Sequence, residues 1–360
     1  MNSIEAVSVS KVFDTNATDA AEVEIVTTNS YGRCSFPAPS EAIGRAREQV
    51  STLIGKEVNQ QAEIDEVLES SSLLPNMSMA FSVAIASAAA ASLGMPLYRY
   101  LGGFFANAMP CPLLKVASAD ADYFCIPQGA SSFASAIASL ASVREQLKKL
   151  DVHRDSVHAD ILNRLAAIMD AVSGSFGFEV RLGMDFKASN HAEGRFNFAD
   201  HPSSTGTSRL RYLLDLARQY NLYYIEDPFD RAESEFQRQL TDELGATCLI
   251  ASEADPDTRI SRSSKSIRKT NLALIAPTGT VSSVFETFSR ERANGRSCAL
   301  LTDNSATCDA SPSQLAVALS APFVKLSIKG RQSTAKINEL IRIEQELCDG
   351  SSCRMAKKLI

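Results

Sequence analysis

The sequence predicts an α/β protein in which a closed barrel of the (β/α)8 type follows a smaller amino-terminal α+β domain. Three observations lead to this fold class. Apolar and polar residues alternate near the amino terminus, as they do in half-buried strands. Short apolar runs alternate with amphipathic helical patterns from about residue 112 onward. The chain has 360 residues, 45% of them hydrophobic, so it can bury a large core.

Residues 1–110 are predicted to form the smaller domain. Alternating apolar residues predict two strands, over 4–13 and 22–28, with turn-prone residues between them. Helical patterns follow over 42–54, 60–68 and an alanine-rich run from 79 to Gly94. These elements indicate a compact α+β unit with a two-stranded start.

Residues 111–360 are predicted to form the barrel. Strands are expected over 179–184, 222–225, 248–251, 272–276, 298–301 and 323–326. Helices are expected over 157–172, 210–220, 281–293, 314–319 and 335–347. Repeated strand and helix pairs predict a parallel sheet, and their number favours a closed barrel over an open doubly wound sheet. Since no glycine-rich phosphate loop follows a predicted strand, a nucleotide-binding fold is disfavoured.

Charge and hydropathy exclude several classes of partner. The chain has 36 Lys and Arg residues against 42 Asp and Glu residues, and it contains no basic block that would follow a nucleic-acid backbone. The most hydrophobic window, 79–93, is about fifteen residues long, too short to cross a hydrocarbon core of about 30 Å. The eight cysteines form no CxxC pair, and the first residues do not resemble a secretory signal. We therefore expect a cytoplasmic protein with neither nucleic acid nor membrane as a partner.

Acidic residues follow several of the predicted strands, where barrel enzymes place their chemistry. They are Asp185, Glu226, Glu253 and Asp303. Lys325 lies in the last predicted strand. Carboxylates that converge on one mouth suit a hard cation such as Mg2+, and a lysine there can balance charge or transfer a proton. The alternative is that each acid only caps the next helix or pairs with a neighbouring base.

A further pattern consists of segments spread over nearly the whole chain. They are EVEIVTT at 22–28, AAAASLGMPLYRYLGG at 88–103, PQGASSF at 127–133, GMD at 183–185, IEDPFD at 225–230 and NELIRIEQEL at 338–347. In their order and spacing they resemble the enolases, the phosphopyruvate hydratases of glycolysis. The resemblance implies an enolase-like barrel, a lyase reaction that requires Mg2+, and a homodimer that pairs through its amino-terminal domains.

The resemblance also assigns positions in the site. Enolases hold Mg2+ with three carboxylates, and the matching positions are Asp185, Glu226 and Ser252. Serine is a weak ligand, and the adjacent Glu253 could replace it if the strand end shifts by one residue. The lysine that removes the C2 proton in this family corresponds to Leu274. A leucine cannot accept a proton, so this position predicts a lost general base.

Two candidate catalytic residues are left by the same comparison. Lys325 matches the second active-site lysine, and Asp122 is the surviving acid of a Gln-Glu-Phe motif. The substrate-binding Ser-His-Arg-Ser segment is replaced over 302–305, and the lid loop is reduced to 37–42. The segment that supplies the acid for hydroxide departure has no counterpart in the shortened stretch between 150 and 157.

These losses favour a catalytically degenerate homologue that acts as a binding or structural subunit, binds Mg2+ weakly and has an unidentified protein partner. In such a protein the acids of the mouth, Asp185, Glu226 and Asp303, are the expected partners of Lys325. The alternative is an active phosphopyruvate hydratase, or a lyase of altered substrate range. It would use Lys325 as its only active-site lysine and Glu253 as its third metal ligand.

Overall fold

Three antiparallel strands open the fold, and helices pack on their sheet. The computed structural model of the chain describes residues 2–148, 158–188, 197–198, 201–202, 206–254, 270–302, 307–349 and 354–356. The strands are β1 (Ile4–Phe13), β2 (Asp19–Thr27) and β3 (Tyr31–Pro37). The helices are α1 (Ser40–Gln49), α2 (Gln61–Glu69), α3 (Pro75–Ser92) and α4 (Leu97–Gly102).

The predicted two-stranded start is wrong, because β3 adds a third strand that pairs with β2. Cys34 and Phe36 lie on the buried face of β3, and Gly32 takes the remaining position of that face. A Cβ atom at Gly32 would lie 2.0 Å from the main-chain oxygen of Ala84, so α3 can approach β3 only because residue 32 has no side chain. The same glycine interrupts the apolar alternation that would have indicated the strand.

Helix α3 is apolar on all sides because it is enclosed by the protein. Thirteen of its eighteen residues are buried, and most of the predicted alanine-rich helical run from 79 lies within it. Within the described residues, no single helix is long and apolar enough to cross a membrane. The segments Pro75–Ser92 and Leu97–Phe105, bent by 93° at their junction, would satisfy the length and composition together.

The predicted closed barrel is confirmed, with eight strands that pair in the order β10-β11-β12-β13-β14-β5-β6-β7. Its strands are β5 (Cys111–Ser118), β6 (Asp122–Gln128), β7 (Glu179–Asp185), β10 (Tyr224–Glu226), β11 (Leu249–Glu253), β12 (Leu272–Ile275), β13 (Ser297–Leu301) and β14 (Phe323–Ser327). The first barrel strand begins at Cys111, and the division into domains after residue 110 stays a prediction.

The remaining elements surround the barrel or form short ribbons. The helices are α5 (Phe133–Leu147), α6 (His158–Phe176), α7 (Gly206–Gln219), α8 (Ser234–Leu244), α9 (Val281–Ala293), α10 (Ser311–Ala318) and α11 (Arg331–Asp349). The ribbons pair β4 (Ala108–Met109) with β15 (Arg354–Met355), and β8 (Asn197–Phe198) with β9 (His201–Pro202).

The expectation of a wholly parallel sheet is wrong, because β6 runs antiparallel to both β5 and β7. Only residues 119–121 join β5 to β6. A connection that short can make a hairpin but cannot make the helical crossover that parallel strands need. Reversal of β6 brings its first residue, Asp122, to the barrel end where the neighbouring parallel strands finish.

Residues of α2 and α3 cap the amino terminus of α9 in the barrel domain. Asp65 accepts hydrogen bonds from the main-chain nitrogen of Ser282 at 3.0 Å and from its hydroxyl at 2.7 Å. Ser82 donates to Asp65 at 2.6 Å and accepts from the main-chain nitrogen of Val281 at 2.9 Å. Burial raises the pKa of Asp65, and the hydrogen bonds from Ser82 and Ser282 act against that rise. The cap therefore joins the two parts of the chain through a buried carboxylate.

Replacing Asp65 should destabilise the whole protein. Asp65→Ala removes the acceptor of buried Ser82 and half-buried Ser282, so the free energy of unfolding should fall by about 2 kcal/mol. Denaturant unfolding measures the change. Glu66→Ala is the matched control, because Glu66 is an exposed acid on the same helix and its loss should change little. Equal effects of the two substitutions would contradict the capping role.

Candidate active site

Three carboxylates meet at one end of the barrel, on three neighbouring strands. Asp185 and Glu226 are the last residues of β7 and β10, and they lie opposite each other in the strand register. Asp122 opens the antiparallel β6 and lies opposite Asp185. All three are buried. The predicted convergence of Asp185 and Glu226 at the mouth is thus seen directly, and Asp122 lies beside them.

The Lys325 ammonium group lies between two of these acids. Its Nζ atom is 2.5 Å from Oε2 of Glu226 and 3.6 Å from Oδ2 of Asp185. The same Nζ lies 5.0 Å from the centre of the Phe124 ring, within the range of a cation–π contact. Tyr224 also donates its hydroxyl to Oε2 of Glu226, at 2.5 Å. Two of the expected partners of Lys325 are therefore in contact with it, while Asp303 lies outside the described residues.

Two further lysines neutralise Asp122. Nζ of Lys187 lies 2.7 Å from Oδ1 of Asp122, and Nζ of Lys115 lies 3.4 Å from Oδ2. The hydroxyl of Ser118 donates to Oδ1 of Asp122. The acidic cluster, Asp122, Asp185 and Glu226, thus faces a basic cluster of equal formal charge, Lys115, Lys187 and Lys325.

The pKa values of the acids differ because their surroundings differ. Burial and the neighbouring charge of Glu226 raise the pKa of Asp185 to about 7, against the opposing effect of Lys325. Burial also acts to raise the pKa of Asp122, but hydrogen bonds from Lys187 and Ser118 outweigh it and the pKa is lowered. Burial and the charge of Glu226 raise the pKa of Tyr224 well above its usual value, so its hydroxyl stays a donor. Asp185 is the acid in this cluster that can take up a proton near neutral pH.

Strand β11 presents no ligand atom beside Glu226. Its register places Ala251 opposite Glu226, and Ala251 belongs to the apolar cluster inside the barrel. Ser252 points the other way, where its hydroxyl contacts Thr270 at 3.0 Å and Arg296 at 3.0 Å. Because side chains alternate along a strand, Glu253 is on the inner side with Ala251 but two residues nearer the rim. Ser252 is thus turned away from the position that the enolase resemblance gave it.

Leu274, at the position of the expected lysine base, lies inside the barrel and is 1% exposed. Glu253 lies opposite it in the register, is exposed and forms no hydrogen bond or ion pair with the described residues. On this side of the mouth the inward-facing neighbours are Ala299 and Leu301. The mouth thus has a charged half on β6, β7, β10 and β14 and an apolar half on β12 and β13.

The described residues do not fit a closed three-carboxylate site for Mg2+. Among them, no group of three or more His, Cys, Asp or Glu side chains is arranged to hold a metal ion. Asp185 and Glu226 are adjacent, but Lys325 already supplies positive charge at the place where a cation would bind them. A hard cation takes six or more oxygen ligands, and two carboxylates supply only part of that set.

Three residues of the site went unrecognised in the sequence. Tyr224 could have been found, because it lies two residues before Glu226 and shares its face of the strand. Lys115 follows Leu113 at the same spacing on β5. Lys187 carries no periodic signal, since it follows the strand in a turn with a positive φ of 53°.

Comparison with known proteins agrees with the fold. The family model described as the enolase C-terminal TIM barrel domain matches residues 117–358. The curated protein named Enolase from Natronomonas pharaonis is 31% identical over 96% of this chain and 99% of its own length. That from Methanocorpusculum labreanum is 32% identical over 79% of this chain and 78% of its own. The Methanothermobacter thermautotrophicus Enolase is 28% identical over 96% and 97%, respectively.

Replacing Lys325 tests how the acids are held. Lys325→Met removes the ammonium group, which must raise the pKa of Asp185 still further above that of an unfolded aspartate, near 4. A group whose pKa is raised in the folded state loses its stabilising contribution as the pH rises from its pKa in the unfolded chain to its pKa in the folded protein. The free energy of unfolding of the variant should therefore fall by about 3 kcal/mol at about pH 8 and by less at about pH 5.

Denaturant unfolding at both pH values gives this difference. Lys148→Met is the control, because Lys148 forms an exposed ion pair with Glu145 that should contribute little at either pH. A loss of stability at Lys325 that is equal at both pH values would contradict the proposed charge balance.

Proposed function

The chain belongs to the enolase family, and we propose that it is a catalytically degenerate member that acts as a binding or structural subunit. The observation that carries this proposal is the contact of the Lys325 ammonium group with Glu226 and Asp185. In a metal-dependent lyase the two acids would face a cation and the lysine would face substrate. Here the lysine itself is the cation that the acids contact.

The apolar half of the mouth supports the same proposal. Proton removal needs a basic atom within hydrogen-bond reach of the substrate, and the resemblance places Leu274 at the base position. Leu274, Ala299 and Leu301 offer no such atom. Loss of a general base alone typically slows a reaction by a factor of about 10² to 10⁴.

Charge balance in the mouth also disfavours an anionic substrate. A phosphorylated substrate binds where cationic groups are free to approach it. Lys115 and Lys187 are both engaged by Asp122, and Lys325 is engaged by Glu226. Binding of a phosphate group would have to break these ion pairs in a partly buried site, which is costly because the acids would lose their partners.

Weak Mg2+ binding is part of this proposal. Asp185 and Glu226 would be the ligands, and Glu253 would complete the set only if its side chain turned inward from the rim. By resemblance to the family we also propose a cytoplasmic homodimer, with a further protein partner as the object of the binding role. No charged cluster described above suggests nucleic acid as that partner.

The second candidate function is an active phosphopyruvate hydratase, which converts 2-phosphoglycerate to phosphoenolpyruvate in glycolysis. Two observations favour it: relatives named Enolase align with nearly the whole chain, and Asp185, Glu226 and Lys325 share one mouth. In this case Lys325 would leave Glu226 when substrate and metal bind. Asp185, with a pKa of about 7, would release its proton to solvent if a cation bound beside it and stabilised the carboxylate.

An assay with purified protein, 2-phosphoglycerate and Mg2+ separates the two functions. We expect no formation of phosphoenolpyruvate above the background rate, because no base is positioned at residue 274. Asp185→Ala, shown to be folded by circular dichroism, is the control for a contaminating enolase, because contaminant activity would not change with the variant. Magnesium-dependent turnover that the wild type shows and Asp185→Ala lacks would contradict the degenerate function and support the second candidate.

A further inference from the structure

A cavity of about 270 Å3 lies at the opposite end of the barrel from the acidic cluster. Its place follows from the residues that line it. Cys111 and Phe323 are the first residues of β5 and β14, and Gln128 is the last residue of the antiparallel β6. The cavity therefore belongs to the amino-terminal face of the barrel and is separate from the mouth discussed above.

The walls of this cavity are apolar and well packed. Ile126, Tyr223 and Phe323 are at most 5% exposed and belong to the apolar cluster inside the barrel. Cys111 and Met355 are half-buried and also line the cavity. The ribbon of β4 and β15 fixes Met355 beside the cavity.

The lining chemistry selects against charge. None of the described residues that line the cavity is Asp, Glu, Lys, Arg or His. The polar side-chain groups are the amide of Gln128 and the hydroxyl of Tyr223. Arg181, which does not line the cavity, donates a hydrogen bond to the Gln128 amide oxygen at 3.4 Å and lies 5.3 Å from the centre of the Tyr223 ring. A charged ligand would lose its hydration here and meet no charged lining side chain, because Arg181 lies outside the lining and pairs with Glu179. A neutral apolar ligand would be buried favourably.

The volume sets the size of that ligand. An apolar protein cavity of about 150 Å3 is large enough to bind benzene. The cavity at β5, β6 and β14 is nearly twice as large, at about 270 Å3. We propose that it is a binding site for a neutral, largely apolar small molecule that is larger than benzene. This site goes beyond the function proposed above and does not depend on it.

Indole, a neutral and largely apolar molecule larger than benzene, is the probe that tests this site on the full chain. The protein has no tryptophan, so indole emission can be followed without that background. We expect a saturable change in emission with wild type. Ala130→Leu puts an isobutyl group into the cavity and should weaken binding by about tenfold or more, which corresponds to about 1.4 kcal/mol.

The matched control is Ala276→Leu, which makes the same change in a different cavity, of about 370 Å3, between α2 and α9. Its indole affinity should equal that of wild type. Loss of binding in Ala276→Leu, retention in both variants, or no saturable binding by wild type would each overturn the proposal.

A measurement on the unsubstituted protein covers the case in which Ala130→Leu does not fold. Cys111 lines the cavity, whereas Cys348 is exposed elsewhere. Bound indole should slow alkylation of Cys111, followed by mass spectrometry, and leave that of Cys348 unchanged. Equal rates at Cys111 with and without saturating indole would overturn the proposal.

Discussion

Repulsion between buried carboxylates is the constraint on which the mouth of this barrel depends. Strand register fixes Asp122, Asp185 and Glu226 side by side, so none of them can move away without breaking the sheet. When carboxylates lie this near to one another in a poorly solvated site, one of them must be protonated or a positively charged group must lie beside them. The protein uses both, because lysines contact the acids and Asp185 has a pKa near neutrality.

This constraint connects the fold to the proposed loss of function. In a metal-dependent site, a bound cation can offset the repulsion between the carboxylates, and the lysines remain available for substrate. Here Lys325 and Lys187 supply the positive charge that offsets the repulsion. The apolar residues Leu274 and Leu301 on the other side of the mouth then pack as part of the core. Stability and catalysis make different demands on the same few side chains.

Much of the fold could be predicted, because alternation and helical periodicity are local properties of the sequence. The exceptions have physical causes: Gly32 hides β3 by lacking a side chain, and the short link before β6 leaves no helix to signal its direction. In the site, Asp185 and Glu226 could be predicted because they end strands. Alternation of side chains along Leu249 and Ala251 would also have predicted that Ser252 points outward. The contact of Lys187 with Asp122 depends on a turn and could not be predicted.

A calorimetric titration of Mg2+ into wild type and Lys325→Met, side by side, tests most directly whether Lys325 takes the place of a metal ion beside the acids. If Lys325 supplies the positive charge that a cation would otherwise supply, its removal should free Asp185 and Glu226 to bind metal. We predict weak Mg2+ binding by wild type and tighter binding by the variant. Tight binding by wild type that the variant loses would contradict this prediction, since the lysine would then assist the metal site instead of replacing the metal.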